Sequence, residues 1–178
     1  MMKRRQFALG ALGGGALLAS GCASTSSGNA KLGGKKVVVV GGGYGGATAA
    51  KYVRMWSNQS VEVTLVEPNG SFISCPISNL VVGGTKTIAD ITTPYDNLVK
   101  RHGVRWVQDM AVRIDPEKQT VTLGKGDVLP YDRLILSPGV DFMWETLPGM
   151  AAAGAKDKIL HAWKAGDQTL ALRKQLEA

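Results

Sequence analysis

The sequence predicts an α/β fold built around a parallel β-sheet, and three consecutive features support this prediction. Val37–Val40 is a run of four valines, typical of a strand that is buried on both faces. A glycine-rich turn and an alanine-rich stretch of helical character follow directly. Val61–Val66 alternates apolar and polar residues, as a second strand does. Strand, helix and strand in this order indicate a βαβ unit.

The turn after the first strand has the spacing of a dinucleotide-binding loop. Gly41, Gly43 and Gly46 form the pattern Gly-x-Gly-x-x-Gly. The first glycine allows a tight turn, the second lets the backbone approach a pyrophosphate, and the third lets the helix pack against the strand. The pyrophosphate would lie at the helix N-terminus, among free backbone N–H groups. Tyr44 and Gly45, within the same loop, are further candidate cofactor-binding residues.

An acidic residue stands where such folds bind the adenosine ribose. Glu67 follows the second strand and lies 21 residues after Gly46. An acid here accepts hydrogen bonds from ribose hydroxyls and repels a 2′-phosphate, which disfavours NADP. The glycine pattern alone is a weak signal, but strand, glycines, helix, strand and acid occur in the required order. The alternative is an ordinary surface glutamate at a strand end.

The next part of the chain predicts an irregular segment followed by a helix. Pro68–Ile91 contains several turn residues and no long apolar run. Thr92 and Pro94 predict the start of a helix, with the threonine as cap and the proline in the first turn. The helix is expected to run to about Arg101 and to end at Gly103.

The remainder predicts a β-meander inserted before a closing strand. Val104–Val107 is a third strand, and Ala111–Asp115 with Thr120–Leu123 reads as a hairpin. Arg133–Leu136 is an apolar closing strand. Asp167–Glu177 is expected to be a helix, capped by its aspartate.

Residues 1–23 predict an export signal that precedes the fold. Basic residues at Lys3–Arg5 are followed by the uncharged apolar stretch Phe7–Ala19, which is too short to span a membrane comfortably. Arg4–Leu9 resembles a twin-arginine signal, which exports proteins already folded around a cofactor. Residues 24–35 are rich in small residues and predict a flexible tether, leaving 36–178 for the folded domain.

A lipoprotein cleavage box is an alternative interpretation of the end of this signal. Leu18–Cys22 resembles such a box, in which Cys22 would become lipidated, but Ala19 stands where leucine is usual. Lipidation and simple cleavage both remain open. The expected location is the periplasm, with membrane contact only through this possible anchor.

The net charge and the few cysteines and histidines argue against nucleic-acid binding and against a metal site. The formal net charge is +7, and the leader carries three of the basic residues, which leaves +4 for the rest. No dense basic run lies beyond the leader, so nucleic-acid binding is not indicated. Two cysteines, Cys22 and Cys75, provide no disulfide framework and no cysteine-based metal site. His102 and His161 are predicted to be structural or surface residues, and no metal site is expected.

A longer motif carries a resemblance to a known family. Tyr131–Gly139 resembles the second FAD motif of the two-dinucleotide-binding flavoproteins, whose usual ending Ala-Thr-Gly is here Ser-Pro-Gly. That ending is similar to the flavoprotein subunit of flavocytochrome c sulfide dehydrogenase. The resemblance extends over nearly all of residues 35–177 and includes Gly41–Tyr52, Val63–Asn69 and His161–Gly166.

The resemblance implies a fold and a cofactor. The fold is a Rossmann-like FAD-binding domain, with a parallel sheet, a βαβ unit and an inserted meander, and only its N-terminal part is expected here. Val112, Pro138 and Gly139 join the candidate cofactor contacts. A cysteine at the position of Cys75 is bonded in this family to the flavin 8α-methyl group, for which a thiolate is the required nucleophile. The residue-based alternative for Cys75 is a small buried hydrophobe.

The resemblance also implies an activity and partners. Sulfide would attack a redox disulfide beside the flavin, and two electrons would pass to FAD and then singly to the haem of a cytochrome c subunit. The disulfide cysteines belong to later segments, so no catalytic residue is expected in this chain, which is interpreted as a truncated product or fragment. The alternatives are a sulfide:quinone or NADH:acceptor flavoenzyme, or a catalytically incomplete FAD-binding fragment.

Overall fold

A four-stranded parallel sheet forms the centre of the computed structural model, which describes residues 33–178. Its strands are β1 (Lys36–Val40), β2 (Glu62–Val66), β5 (Arg105–Val107) and β9 (Arg133–Leu136), in the order β5-β2-β1-β9. Every neighbouring pair is parallel. The predicted parallel sheet is therefore confirmed. The twin-arginine motif, Cys22 and nearly all of the predicted tether lie outside the described residues.

Helix α1 (Tyr44–Trp56) connects β1 to β2 and packs against the sheet. Its buried positions are the small residues Gly46 and Ala50, which let the helix backbone come close to β1. A Cβ at Gly46 would lie only 1.8 Å from the carbonyl oxygen of Gly41. The βαβ unit and the packing role predicted for Gly46 are thus both confirmed.

The sheet is buried on both faces, as the valine run predicts. Val37 and Val39 belong to the core cluster beneath α1, together with Leu65 of β2. Val38 faces the opposite cluster, where it packs with Val121 and Leu123. These last two belong to a separate antiparallel sheet, so a meander covers the second face.

That meander has three strands, β6 (Ala111–Asp115), β7 (Thr120–Leu123) and β8 (Val128–Pro130). The predicted hairpin is β6–β7, and its pairing shifts register between Ala111 and Arg113. The third strand, β8, pairs antiparallel with β7 and completes the meander.

The segment after Glu67 contains more regular structure than the sequence predicts. Strand β3 (Ser71–Ile73) pairs antiparallel with β4 (Thr92–Pro94), and the short helix α2 (Asn79–Val82) lies between them. The prediction that Thr92 and Pro94 start a helix is therefore wrong. Thr92 is extended, at φ −101° and ψ 129°, and Pro94 disfavours helical backbone at Thr93, the residue before it. Helix α3 (Asp96–His102) begins two residues after the proline.

The C-terminal part carries two helices, α4 (Ala155–Lys158) and α5 (Asp167–Glu177). The predicted last helix is confirmed, but its cap is Gly166 rather than Asp167, which is the first helical residue. The N–H of Gly166 donates to the hydroxyl of the fully buried Thr169 at 3.1 Å, so the threonine performs the capping. Helix α5 packs against α2.

Between residues 33 and 178, no helix combines the length and apolar character needed to cross a membrane.

Candidate functional site

The carboxyl ends of three neighbouring strands bring two loops into contact. Gly41, directly after β1, has φ +97° and donates its N–H to the carbonyl of Val66 at 2.9 Å. The N–H of Ser137, directly after β9, donates to the carbonyl of Val40 at 2.8 Å. A Cβ at Gly41 would lie 1.9 Å from the Ser137 carbonyl oxygen, so only glycine fits there. The glycine turn and the Ser-Pro-Gly ending therefore form one edge of the molecule.

The N-terminus of α1 is open to an anion. Its cap, Gly43, offers no side-chain hydrogen bond, and the first turn contains no acidic residue. Among residues 33–178, no capping side chain or first-turn acid accepts the first-turn N–H groups, and the helix dipole favours negative charge there. Tyr44 stands at this end, where its ring packs edge-on against Phe72 and its hydroxyl hydrogen-bonds with Ser74 Oγ.

Glu67 is buried and is held by backbone and side-chain donors. It is 8% exposed. One carboxylate oxygen accepts the N–H of Gly42 at 2.7 Å. The other accepts the backbone N–H of Asn69 at 2.9 Å and its side-chain amide at 2.7 Å. Since each carboxylate oxygen accepts about two hydrogen bonds, the oxygen facing Gly42 keeps one free acceptor position. The alternative of an ordinary surface glutamate is wrong.

A cavity of about 700 Å³ opens along this edge and collects most of the sequence-predicted site. Eight of the ten candidate cofactor residues line it: Gly41, Gly43, Tyr44, Gly45, Glu67, Cys75, Pro138 and Gly139. A Cβ at Gly45 would lie 2.7 Å from the Ser137 hydroxyl, and one at Gly43 would lie 3.7 Å from the Phe72 ring. A glycine-lined cradle with free N–H groups and a buried carboxylate fits the pyrophosphate and ribose of an adenine dinucleotide.

Two candidate residues do not line the cavity. Gly46 is buried against β1, where it performs the packing role described above. Val112 lies on β6 at the register shift and is 59% exposed. Its contact with a cofactor stays a prediction.

Cys75 is exposed and lines the same cavity as the glycine turn. The N–H of Ala165 points to its sulfur at 3.4 Å. Trp163 and Lys164 of the same segment also line the cavity. The alternative of a small buried hydrophobe is therefore wrong for Cys75.

Sequence reasoning missed two residues, Tyr95 and Asn69, that line the cavity and hold its other residues in place. Tyr95 is 3% exposed and donates its hydroxyl to the carbonyl of Gly42 at 3.0 Å. Burial and the nearby Glu67 charge raise the pKa of Tyr95 well above its usual range. Asn69 fixes the Glu67 carboxylate. No local pattern marks either residue, because each acts on a partner brought close only by the fold.

The histidines and acidic groups do not form a metal centre in the described residues 33–178. His161 packs in an aromatic cluster, with its ring centroid 4.5 Å from that of Phe142. His102 ends α3, where its carbonyl accepts a hydrogen bond from Arg54 at 3.0 Å. Both agree with the structural role predicted for them.

Curated relatives of the chain include two sulfide:quinone oxidoreductases and the flavoprotein chain of a sulfide dehydrogenase. It is 30% identical over 116 residues to the mitochondrial sulfide:quinone oxidoreductase of Mus musculus, covering 65% of the chain and 25% of that protein. It is 59% identical over 38 residues to the flavoprotein chain of the flavocytochrome c sulfide dehydrogenase of Chlorobaculum thiosulfatiphilum, covering 21% of the chain and 77% of that sequence. A relative in Dictyostelium discoideum, also a mitochondrial sulfide:quinone oxidoreductase, is 26% identical over 106 residues, 60% of the chain and 23% of that protein. The chain thus spans about a quarter of the length of the two sulfide:quinone oxidoreductases.

Solved structures share the fold. The sulfide:quinone oxidoreductase of Aquifex aeolicus superposes with a TM-score of 0.65 at 26% identity, covering 80% of this chain and 32% of that one. A NAD-dependent persulfide reductase from A. fulgidus gives 0.68 at 22% identity, covering 80% and 27% of the two chains, and shows the fold alone.

A family model adds the last comparison. The model described as pyridine nucleotide-disulphide oxidoreductase matches residues 35–177. This range contains the glycine turn, the buried glutamate and the Ser-Pro-Gly ending that together form the cavity. Because the match covers far more than half of the sequence, the chain belongs to the pyridine nucleotide-disulphide oxidoreductase family.

Proposed function

We propose that the chain binds FAD in the cavity, with the adenosine diphosphate half at the glycine turn. The observation that carries this proposal is the convergence of free N–H groups, the Glu67 carboxylate and Ser137–Gly139 on one cavity of about 700 Å³. The N–H groups suit a pyrophosphate, and the carboxylate suits a ribose hydroxyl. Membership of the family and the flavoprotein among the relatives support the same cofactor.

The proposed activity of the whole protein is oxidation of sulfide. Bound FAD supplies the redox chemistry, while the protein holds and orients it. The similarity to a flavocytochrome c flavoprotein chain, 59% over 38 residues, supports a cytochrome c subunit as the acceptor of the electrons. A quinone is the second candidate acceptor, because the two mitochondrial relatives are named sulfide:quinone oxidoreductases.

Cys75 is the proposed point of covalent attachment, with a bond from its sulfur to the flavin 8α-methyl carbon. The thiol S–H bond and one methyl C–H bond would break as this bond forms, the flavin would take up the two electrons and two protons, and dioxygen would reoxidise it. Its thiol is exposed in the wall of the cavity and is therefore accessible to a ligand there. The N–H of Ala165, 3.4 Å from the sulfur, would stabilise a thiolate. A covalent bond would keep the cofactor in place in an exported protein.

Acid denaturation of the flavin-loaded protein tests the cofactor and its linkage together. We expect the yellow colour to stay with the precipitated polypeptide, and to pass into the supernatant for Cys75→Ser. Release of all flavin from the unchanged protein would contradict the covalent bond but not the binding of FAD. A protein that takes up no flavin under any loading condition would contradict the whole proposal.

The acceptor is decided by comparing sulfide-dependent reduction of cytochrome c with reduction of a water-soluble quinone by the flavin-loaded protein. Faster reduction of cytochrome c supports the flavocytochrome c type, and faster reduction of quinone supports the alternative. The cysteines of residues 1–178 are Cys22 in the leader and Cys75, which is proposed to hold the flavin, so these residues offer no pair for the redox disulfide and we expect neither reaction from them alone. Measurable turnover by this chain alone would overturn that expectation.

We further propose that the protein is exported to the periplasm by the twin-arginine route. Arg4 and Arg5 before an apolar stretch support this route, since it carries proteins that have already bound their cofactor. Cell fractionation should find the protein in the periplasmic or membrane-anchored fraction, and Arg4→Lys with Arg5→Lys should retain it inside. Equal export of both forms would contradict this route.

A further inference from the structure

A buried tyrosine is hydrogen-bonded to the glycine turn and lines the same cavity. Tyr95, between β4 and α3, packs its ring 5.3 Å from that of Trp106. Its hydroxyl donates to the carbonyl oxygen of Gly42 at 3.0 Å, across 53 positions of sequence. One carbonyl of the turn is therefore held by a residue from a distant part of the chain.

The backbone N–H of Gly42 is hydrogen-bonded as well as its carbonyl. The N–H of Gly42 donates to Glu67 at 2.7 Å. A Cβ at Gly42 would lie 2.4 Å from the Tyr95 hydroxyl and 2.8 Å from Glu67 Cγ, so the two side chains enclose this glycine closely. Both peptide planes that meet at Gly42 are thereby fixed by buried partners.

The orientation of the peptide plane between Gly42 and Gly43 determines where the N–H of Gly43 points. In a trans peptide the carbonyl and the following N–H point in opposite directions, and the described residues contain no cis peptide. The Tyr95 hydroxyl therefore turns the N–H of Gly43 away from itself. No acceptor within residues 33–178 takes that N–H, and Gly43 lines the cavity. Glycines adopt either sign of φ readily, so this plane needs an external partner to keep one orientation.

We propose that Tyr95 is a positioning residue, whose hydroxyl fixes the Gly42 carbonyl so that the Gly43 N–H is presented to a pyrophosphate oxygen. This inference rests on the proposed binding of FAD at the glycine turn. The role differs from that of Glu67, which would face the ribose, because the contact of Tyr95 that carries this proposal is its hydrogen bond to the Gly42 carbonyl. Since burial and the Glu67 charge raise the pKa of Tyr95, its hydroxyl keeps its proton at neutral pH.

The variant Tyr95→Phe removes the hydroxyl and keeps the ring in the core. We expect ADP to bind about five- to ten-fold more weakly by calorimetry, the usual value of one hydrogen bond, while adenosine binds as before. The matched control is Tyr52→Phe, on the outer part of α1 beside Trp56, which should leave both affinities unchanged. A merely structural role would lower the melting temperature and weaken ADP and adenosine alike, and that result overturns the proposal.

A second measurement needs no variant. In ¹⁵N-labelled protein, the amide resonance of Gly43 should shift on titration with ADP and stay in place with adenosine. If ADP binds but the Gly43 resonance does not move, the positioning role is wrong and the proposed site stands. If neither ADP nor FAD binds the unchanged chain, the proposed function itself fails.

Discussion

At the scale of single residues, Glu67 combines a structural and a binding role. Its carboxylate accepts three hydrogen bonds, from Gly42 N and from both nitrogens of Asn69. These bonds fix the glycine turn to the end of β2, and one acceptor position remains for a ligand. The same carboxylate therefore shapes the turn before any cofactor binds.

The substitution Glu67→Gln tests the structural half of this role. Glutamine keeps the size of the side chain but offers one oxygen instead of two, so its amide group would face one of the three donors. Because the site is buried, we expect the free energy of unfolding to fall by about 1–3 kcal/mol, measured by urea denaturation. Glu62→Gln, exposed on the same strand, is the control and should change stability by less than about 0.5 kcal/mol. Equal effects of the two substitutions would show that the three bonds contribute little.

The candidate site was predictable where a residue acts through local backbone chemistry. The glycine spacing and the strand-end acid have fixed positions relative to β1 and β2, so Gly41 and Glu67, which both line the cavity, were identified as candidates from the sequence. Tyr95 and Asn69 were not, because their partners depend on how separate segments pack. The role of Asn69 needs the buried carboxylate, and that of Tyr95 needs a contact across 53 positions.

At the scale of elements, two independent reasons favour glycine at the end of α3, namely its backbone conformation and the space beside it. Gly103 closes the helix at φ +63°, in the left-handed region. A Cβ there would lie 2.8 Å from a guanidinium nitrogen of Arg54. That guanidinium donates to the carbonyls of His102 and Gln59, at 3.0 Å and 2.7 Å, and so ties α1, α3 and the loop after α1 together.

Gly103→Ala should therefore lower the free energy of unfolding by more than the backbone strain alone would. The left-handed conformation costs a residue with a Cβ about 1–2 kcal/mol, and displacement of Arg54 adds to this. Gly126→Ala is the matched control, since Gly126 also has positive φ, at +98°, but has no atom within 4 Å of its Cβ position. The comparison is made by thermal and urea unfolding. Equal losses for both variants would mean that the Arg54 contact does not matter.

Most helices and strands were predictable from hydrophobic periodicity and turn residues. The elements that the sequence did not predict share one cause. Strands β1, β2, β7 and β9 and helix α1 carry apolar residues that pack into the two core clusters, so burial enforces their patterns. Strands β3 and β4 are three residues each and are stabilised by pairing with one another, which no local pattern reveals. Thr92 and Pro94 suit a helix start as well as an edge strand, so tertiary pairing decided between them.

At the scale of the whole molecule, one carboxylate joins the first strand to the last. Asp132, just before β9, accepts the side chain of Lys35 at 2.8 Å and the backbone N–H of Lys36 at 2.7 Å. Its own N–H donates to the Lys36 carbonyl at 2.8 Å. These contacts join residues nearly a hundred positions apart, at the edge of the sheet opposite the cavity.

The contacts of Asp132 predict how stability depends on pH. Hydrogen bonds from Lys35 and Lys36 hold the pKa of Asp132 below its ordinary value of 3.8. A carboxylate whose pKa is depressed by folding stabilises the folded state above the pKa of the unfolded chain, and that contribution is lost as pH falls through the folded pKa. We expect Asp132→Asn to melt at a lower temperature than the unchanged protein at pH 7, and the difference to shrink below pH 3.8. Asp127→Asn, in the exposed turn before β8, is the control and should melt like the unchanged protein throughout. A melting difference for Asp132→Asn that stays constant into acid would mean that its charge does not join the two strands.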